Sequence, residues 1–211
     1  MKKTILFTLV ILSNWMYGQR QHKFAKDIDF DAIKDTIYLD VINFKIVCKL
    51  SSINFKKVES IPIEGINVMS GISDSKNGFK FENHWMRAGY SNQFRYNKRT
   101  KKIQLIGMSR YEFGGYTQDG SGESSVNLLT GDYIGNWNYY DDFTYDEWGK
   151  KEEEKLVKIP TIKTKLKFKT INLEDFSEDT YFDYADKCSV LYHKNRNRII
   201  NSSNYNKEDS P

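Results

Sequence analysis

Asp27, Asp29, Asp31 and Asp35 are the residues of this chain whose type and spacing point most directly to chemistry. In the stretch Asp27-Ile28-Asp29-Phe30-Asp31-Ala32-Ile33-Lys34-Asp35 the acids fall at alternate positions and then after a wider gap. A hard cation such as calcium takes several oxygen ligands from a tight loop. This spacing lets alternate carboxylates converge while a carbonyl near Ile33 completes the shell. Two residues depart from the usual pattern: Ala32 stands where a glycine normally permits the sharp turn, and Phe30 where a small residue is common. The plainer alternative is an acidic turn that starts a strand. Calcium is the one cofactor expected, with the four aspartates as its metal ligands.

A second group combines rings and acids. Trp137, Tyr139, Tyr140, Phe143, Tyr145 and Trp148 are interspersed with Asp141, Asp142, Asp146 and Glu147. Flat rings stack on apolar ligand faces, so Trp137, Tyr139, Tyr140, Asp141, Asp142 and Trp148 form a candidate interaction loop. The competing expectation is that these rings fill the core and brace a long loop. Paired carboxylates could serve glycoside hydrolysis only at a set separation, which proximity in sequence does not supply. His22, His84 and His193 are isolated from any nucleophile motif or metal-ligand spacing, so no catalytic residue is assigned. Asp119-Gly120-Ser121-Gly122-Glu123 has the glycines of a phosphate-cradling loop without its lysine or following helix, and reads as a turn.

The elements that must position these groups are mostly strands. Alternation puts Phe44, Ile46, Cys48 and Leu50 on one strand face, and Thr36–Val41 with Asn43–Leu50 makes a first hairpin. Further strands are expected over 55–63, 66–71, 78–85, 90–96, 102–111, 124–129 and 133–140. Asn97-Lys98-Arg99-Thr100 and Thr130-Gly131-Asp132 are turns between them. Residues 156–170 alternate with lysines on the outer face, which suits a sheet edge. Tyr181, Tyr184, Ala185, Cys188, Leu191 and Tyr192 recur at helical spacing, with Ser177 able to cap that helix. Cys48 and Cys188 therefore both point toward a common core. They form a candidate disulfide; two buried free thiols are the equal alternative.

The acidic loop leading into Asp35-Thr36-Ile37-Tyr38-Leu39 resembles a degenerate FG-GAP or VCBS-type repeat, whose spaced aspartates precede a strand. Phe94-Arg95-Tyr96-Asn97, Ile103-Gln104-Leu105-Ile106-Gly107-Met108 and Ser124-Ser125-Val126-Asn127-Leu128-Leu129-Thr130-Gly131 are similar to a pattern in poorly characterised secreted bacterial β-rich proteins. The resemblance covers roughly residues 27–138. It implies a β-rich extracytoplasmic module, and the chain is too short for a full propeller.

Lys2 and Lys3, the apolar run Thr4–Ser13 and the small-residue end at Gly18 have the order of a secretory signal peptide, residues 1–18. Residues 19–26 are expected to be flexible, 27–194 to form a single β-rich domain and 195–211 a disordered tail. With 211 residues, 15% aromatic and 28% charged, the composition excludes collagen, coiled coil and wholly disordered chains. The formal net charge is only +4, and cleavage would remove two of the lysines behind it, so nucleic acid is not an expected partner. No segment is long enough to span a membrane.

The expected fold is mainly β, an antiparallel blade-like or sandwich-like sheet domain with one C-terminal α-helix. The expected role is a secreted or periplasmic non-enzymatic binding or structural module that engages an unknown protein or envelope component. The alternative is an inhibitor or immunity-type protein that blocks an exported enzyme through the loop at 141–148. A glycan hydrolase is a third class.

Overall fold

The computed structural model describes residues 23–141 and 155–208. The chain forms two antiparallel sheets and one C-terminal helix, in the mainly β class that alternation implies. The small sheet is a meander of β1 (Lys23–Lys26), β2 (Asp35–Asp40), β3 (Lys45–Leu50) and β4 (Lys56–Glu59). The first hairpin has the expected partners, with Thr36 opposite Lys49 and Ile37 opposite Cys48.

The large sheet runs β5 (Gly71–Ser75), β6 (Gly78–His84), β7 (Ala88–Asn97), β8 (Lys102–Glu112), β9 (Gly122–Asn127) and β10 (Asp132–Asp141) in sequence order. The far side of β10 pairs with β11 (Lys155–Lys158) along one half and β12 (Ile162–Lys165) along the other. Lys163 and Lys165 are exposed at this edge, where charge discourages a further strand.

The helix α1 spans Asp179–Glu208. Its buried stripe is Tyr181, Tyr184, Cys188 and Tyr192, the spacing read from sequence. Tyr181 stacks on Tyr90 with centroids 4.1 Å apart, and Tyr184 Oη lies 2.8 Å from Ser124 Oγ. The helix therefore covers the part of the large sheet around Tyr90 and Ser124. Phe176, just before it, sets its edge against Phe94 at 5.1 Å and Phe81 at 6.3 Å. The small sheet closes the same interior with Ile37, Leu39, Ile46, Cys48 and Leu50.

Several segments differ from the sequence expectation. Lys23–Lys26, expected to be flexible, pairs along β2, because the exposed flank of that strand offers free backbone groups to an otherwise polar segment. Of Ile66–Gly71, expected to be a strand, only Gly71 is one, as the first residue of β5; residues 66–70 form a turn. Asn67 Oδ1 accepts the Met69 N–H at 2.7 Å and Ser70 Oγ accepts the Asn67 N–H at 2.8 Å, so side chains capture donors that a ladder would need. The helix also runs through Asn195–Glu208, which polar composition marked as a disordered tail. Phe44 adopts φ 56° and is exposed, so the buried side of β3 begins at Ile46.

A β-bulge shapes the large sheet. Gln93 pairs with Gly107 but Phe94 pairs with Leu105, leaving Ile106 as the extra residue. Ile103 and Leu105 point inward before it and Met108 after it, so one inserted residue keeps the apolar side facing the core.

Candidate functional site

The acidic loop lies between β1 and β2, against the turn that follows β3. Asp35, fully buried, opens β2 and organises the loop. Its Oδ2 accepts the Ile28 N–H at 2.8 Å and the Asp29 N–H at 3.3 Å, and its Oδ1 accepts Ser51 N–H at 2.8 Å and Ser51 Oγ–H at 3.0 Å. Asp27 turns the chain over itself, with Oδ1 accepting the Phe30 N–H at 2.6 Å and Oδ2 the Ala32 N–H at 3.0 Å. Those contacts force left-handed backbone at Phe30 (φ 68°) and Ala32 (φ 70°), the two positions where the sequence lacks small or glycine residues. Each such non-glycine residue costs on the order of 1–2 kcal/mol. Lys98 Nζ sits 4.4 Å from the Phe30 ring centroid and offsets part of that cost.

Three of the four expected ligands come together. One carboxylate oxygen from each of Asp27, Asp29 and Asp35 lies within 4.8 Å of the others. Asp31 is not in this group; the left-handed residues on either side turn it to accept the Ile33 N–H at 2.8 Å and to share the Ser51 hydroxyl proton with Asp35, its own oxygen 2.8 Å away. Asp29 is 7% exposed; its Oδ2 accepts Ser52 Oγ–H at 2.6 Å, while its Oδ1 is buried with no partner. Among the described residues no lysine or arginine forms an ion pair with any of the four. Backbone amides and serine hydroxyls satisfy Asp27 and Asp35, but an unpartnered buried carboxylate oxygen is costly, by about 1–3 kcal/mol or more. Carboxylate oxygens in this number suit a hard cation, which could take the open lone pairs without displacing the amide bonds.

The candidate interaction loop divides. Trp137 and Tyr139 are core residues at 2% and 4% exposure, because alternation along β10 turns both inward with Tyr133. They cannot touch a partner. Tyr140 and Asp141 are half-buried at the end of β10, and Asp142 and Trp148 lie outside the described residues. Of the acids weighed for glycoside hydrolysis, Asp146 and Glu147 lie there too.

Cys48 and Cys188 are free, and both are fully buried. Cys48 belongs to the small sheet, whereas Cys188 is carried by α1 onto β9, where its Sγ is 3.3 Å from Ser124 Oγ. A shared core did not mean a shared contact. Burial, then the charges of Asp35 and Glu174, push the Cys48 thiol well above its usual range, which keeps it protonated and unreactive.

Sequence reading missed the outer face of the large sheet. Ser91 pairs with Ser109 and Ser109 with Ser125, so three serines line up across β7, β8 and β9. Beside this row His84 Nδ1 lies 2.9 Å from Tyr111 Oη. The alternating polar residues in each strand were the available signal, but only strand order and the bulge bring them into line. No family model, curated protein or solved structure matches the chain.

Proposed function

We propose that the chain is an exported, non-enzymatic binding module whose small sheet is locked by a calcium ion held by Asp27, Asp29 and Asp35. The observation that carries this reading is the buried, unpartnered Oδ1 of Asp29 within a group of three carboxylates. Calcium there neutralises charge that no basic side chain among the described residues meets, and it ties the β1–β2 loop to the Ser51–Ser52 turn. The loop followed directly by β2 also suits the FG-GAP-like resemblance. Export accords with the leader-like N-terminal sequence.

The test is calorimetry of the full chain in millimolar calcium and in chelator. A site of about 0.1 mM affinity, in 5 mM calcium, adds about 2 kcal/mol. The thermal midpoint should rise by roughly 4–8 °C, and Asp29→Ala should abolish the rise. An identical transition with and without calcium overturns the metal.

A further inference from the structure

The outer face of the large sheet carries a shallow, open trough. Three recesses of about 530, 340 and 380 Å3 follow one another along β8 and β9. The first two share Tyr111 and Glu123, and the last two share Ser91, Ser109 and Ser125. From Phe113 to Gly107 the trough is roughly 20 Å long at the rise of a β-strand, room for on the order of four pyranose rings.

Its floor is low because Gly107 and the three serines have almost no side chain, so a ring can lie close to the sheet. Tyr111 provides a platform at one end. A Cβ on Gly89 would stand 2.7 Å from Tyr111 Cε1 and 2.6 Å from His84 Nδ1, so the tyrosine ring lies over that glycine and is tied to His84. Phe113 continues the aromatic end, with its centroid 5.3 Å from that of Tyr111. Along the walls stand the neutral amides Gln93, Asn127, Asn136 and Asn138, each with one end bonded within the protein: Asn127 Oδ1 accepts the Leu129 and Thr130 N–H, Asn136 Oδ1 the Thr161 hydroxyl, Asn138 Nδ2 donates to Ser121 and Gln93 Nε2 to Ser75.

Lys80, Arg87, Arg95 and Arg110 line the trough against Glu112 and Glu123; Arg110 is ion-paired to Glu112, which leaves Lys80 and Arg95 at one end and Glu123 toward the other as the charges open to a ligand. Arg87 at the aromatic end directs its guanidinium at the carbonyls of Phe113, Gly114 and Gly115, which holds that loop in place. An extended peptide would need a free sheet edge to add as a strand, whereas the backbones of β7, β8 and β9 are paired on both sides along this face. An uncharged chain of hydroxyl-bearing rings matches this floor, these walls and this charge balance.

We propose that the serine-floored face of β7–β10 binds an uncharged, extended glycan strand, with Tyr111 stacking on one ring and the outward amide ends and serine hydroxyls bonding to sugar hydroxyls. This deepens the binding-module reading by naming the class of partner, and it does not depend on the metal.

The experiment is calorimetric titration of the full chain with cellohexaose, chitohexaose, xylohexaose and mannohexaose. Polygalacturonate hexamer serves as the acidic control, and each titration is run in calcium and in chelator. At least one neutral hexamer should bind, its trimer at least tenfold more weakly. Gly107→Trp should lose at least tenfold; a Cβ there meets nothing closer than 3.5 Å, so the new ring fills the trough rather than the core. Tyr111→Ala should lose a similar factor. Should Gly107→Trp misfold, Ser125→Arg, at an exposed position, fills the same space. Binding by none of the neutral hexamers, unchanged binding by the trough-filling variant, or preference for the acidic hexamer overturns the proposal. Recovery of the sugar intact supports both readings; its cleavage upholds the ligand class and removes the non-enzymatic reading. Binding that persists in chelator separates the trough from the calcium site.

Discussion

The small sheet is filled with aliphatic side chains, Ile37, Leu39, Ile46 and Leu50, and the large sheet with rings, Phe79, Phe81, Tyr90, Phe94, Tyr133 and Trp137. Their polar groups differ in the same sense. The small sheet buries carboxylates, which demand donors from the backbone and from Ser51 and Ser52. The large sheet buries hydroxyls that neutral side chains satisfy, as in Trp137 Nε1–H donating to Tyr133 Oη at 3.0 Å and Ser124 Oγ beside Tyr184 Oη. It turns further hydroxyls outward. A buried anion uses up its surroundings, whereas an exposed row of serines keeps its bonding capacity for a ligand.

Substitutions that open each interior separate the two sheets most clearly. Phe94→Ala removes a ring stacked on Phe79 at 5.1 Å and should cost about 3–5 kcal/mol in urea unfolding, with the aromatic near-UV signal weakened. Asp35→Ala in the small sheet strands three backbone N–H groups and should cost about 3 kcal/mol. A loss below about 1 kcal/mol would mean that the carboxylate cage contributes little to holding the small sheet.

Alkaline pH should act mainly on the large sheet and the helix that covers it, with the raised Cys48 thiol adding a share from the small sheet. Burial above all raises the phenols of Tyr90, Tyr133 and Tyr184 above their ordinary value of 10.0. The unfolded chain ionises these phenols near that value while the folded chain keeps them protonated. Stability from this source is therefore complete below pH 10 and falls as pH rises above it. The fall should be on the order of 3 kcal/mol by pH 11, seen as a lower urea midpoint, and Tyr90→Phe should reduce it by about a third.

Smaller effects sharpen the contrast between buried and exposed hydroxyls. Ser124→Ala leaves Tyr184 Oη and Cys188 Sγ without their 2.8 and 3.3 Å partner and should cost about 1–2 kcal/mol. Ser125→Ala, one residue along on the open side, should change stability by no more than about 0.5 kcal/mol.

Residue order alone determined a good deal of this protein. Alternation in β2, β3 and β7–β10 marked strands of the right type, since a strand with one buried side must repeat every two residues. Helical spacing selected Tyr181, Tyr184, Cys188 and Tyr192 as the stripe that α1 buries. The aspartate spacing located a loop in which three carboxylates do converge.

Tertiary structure decided which side of each strand meets the core and which elements cover it. Trp137 and Tyr139 looked available to a partner as written, but β10 turns them inward with Tyr133 because the covered face of its sheet needs the apolar volume. The two cysteines both point inward and still pack on different elements, one in each half of the interior. The serine row exists only because three strands pair in one register, set by the bulge at Ile106. Period and composition are local properties of a chain, whereas register and coverage depend on residues far apart in sequence, which no local pattern encodes.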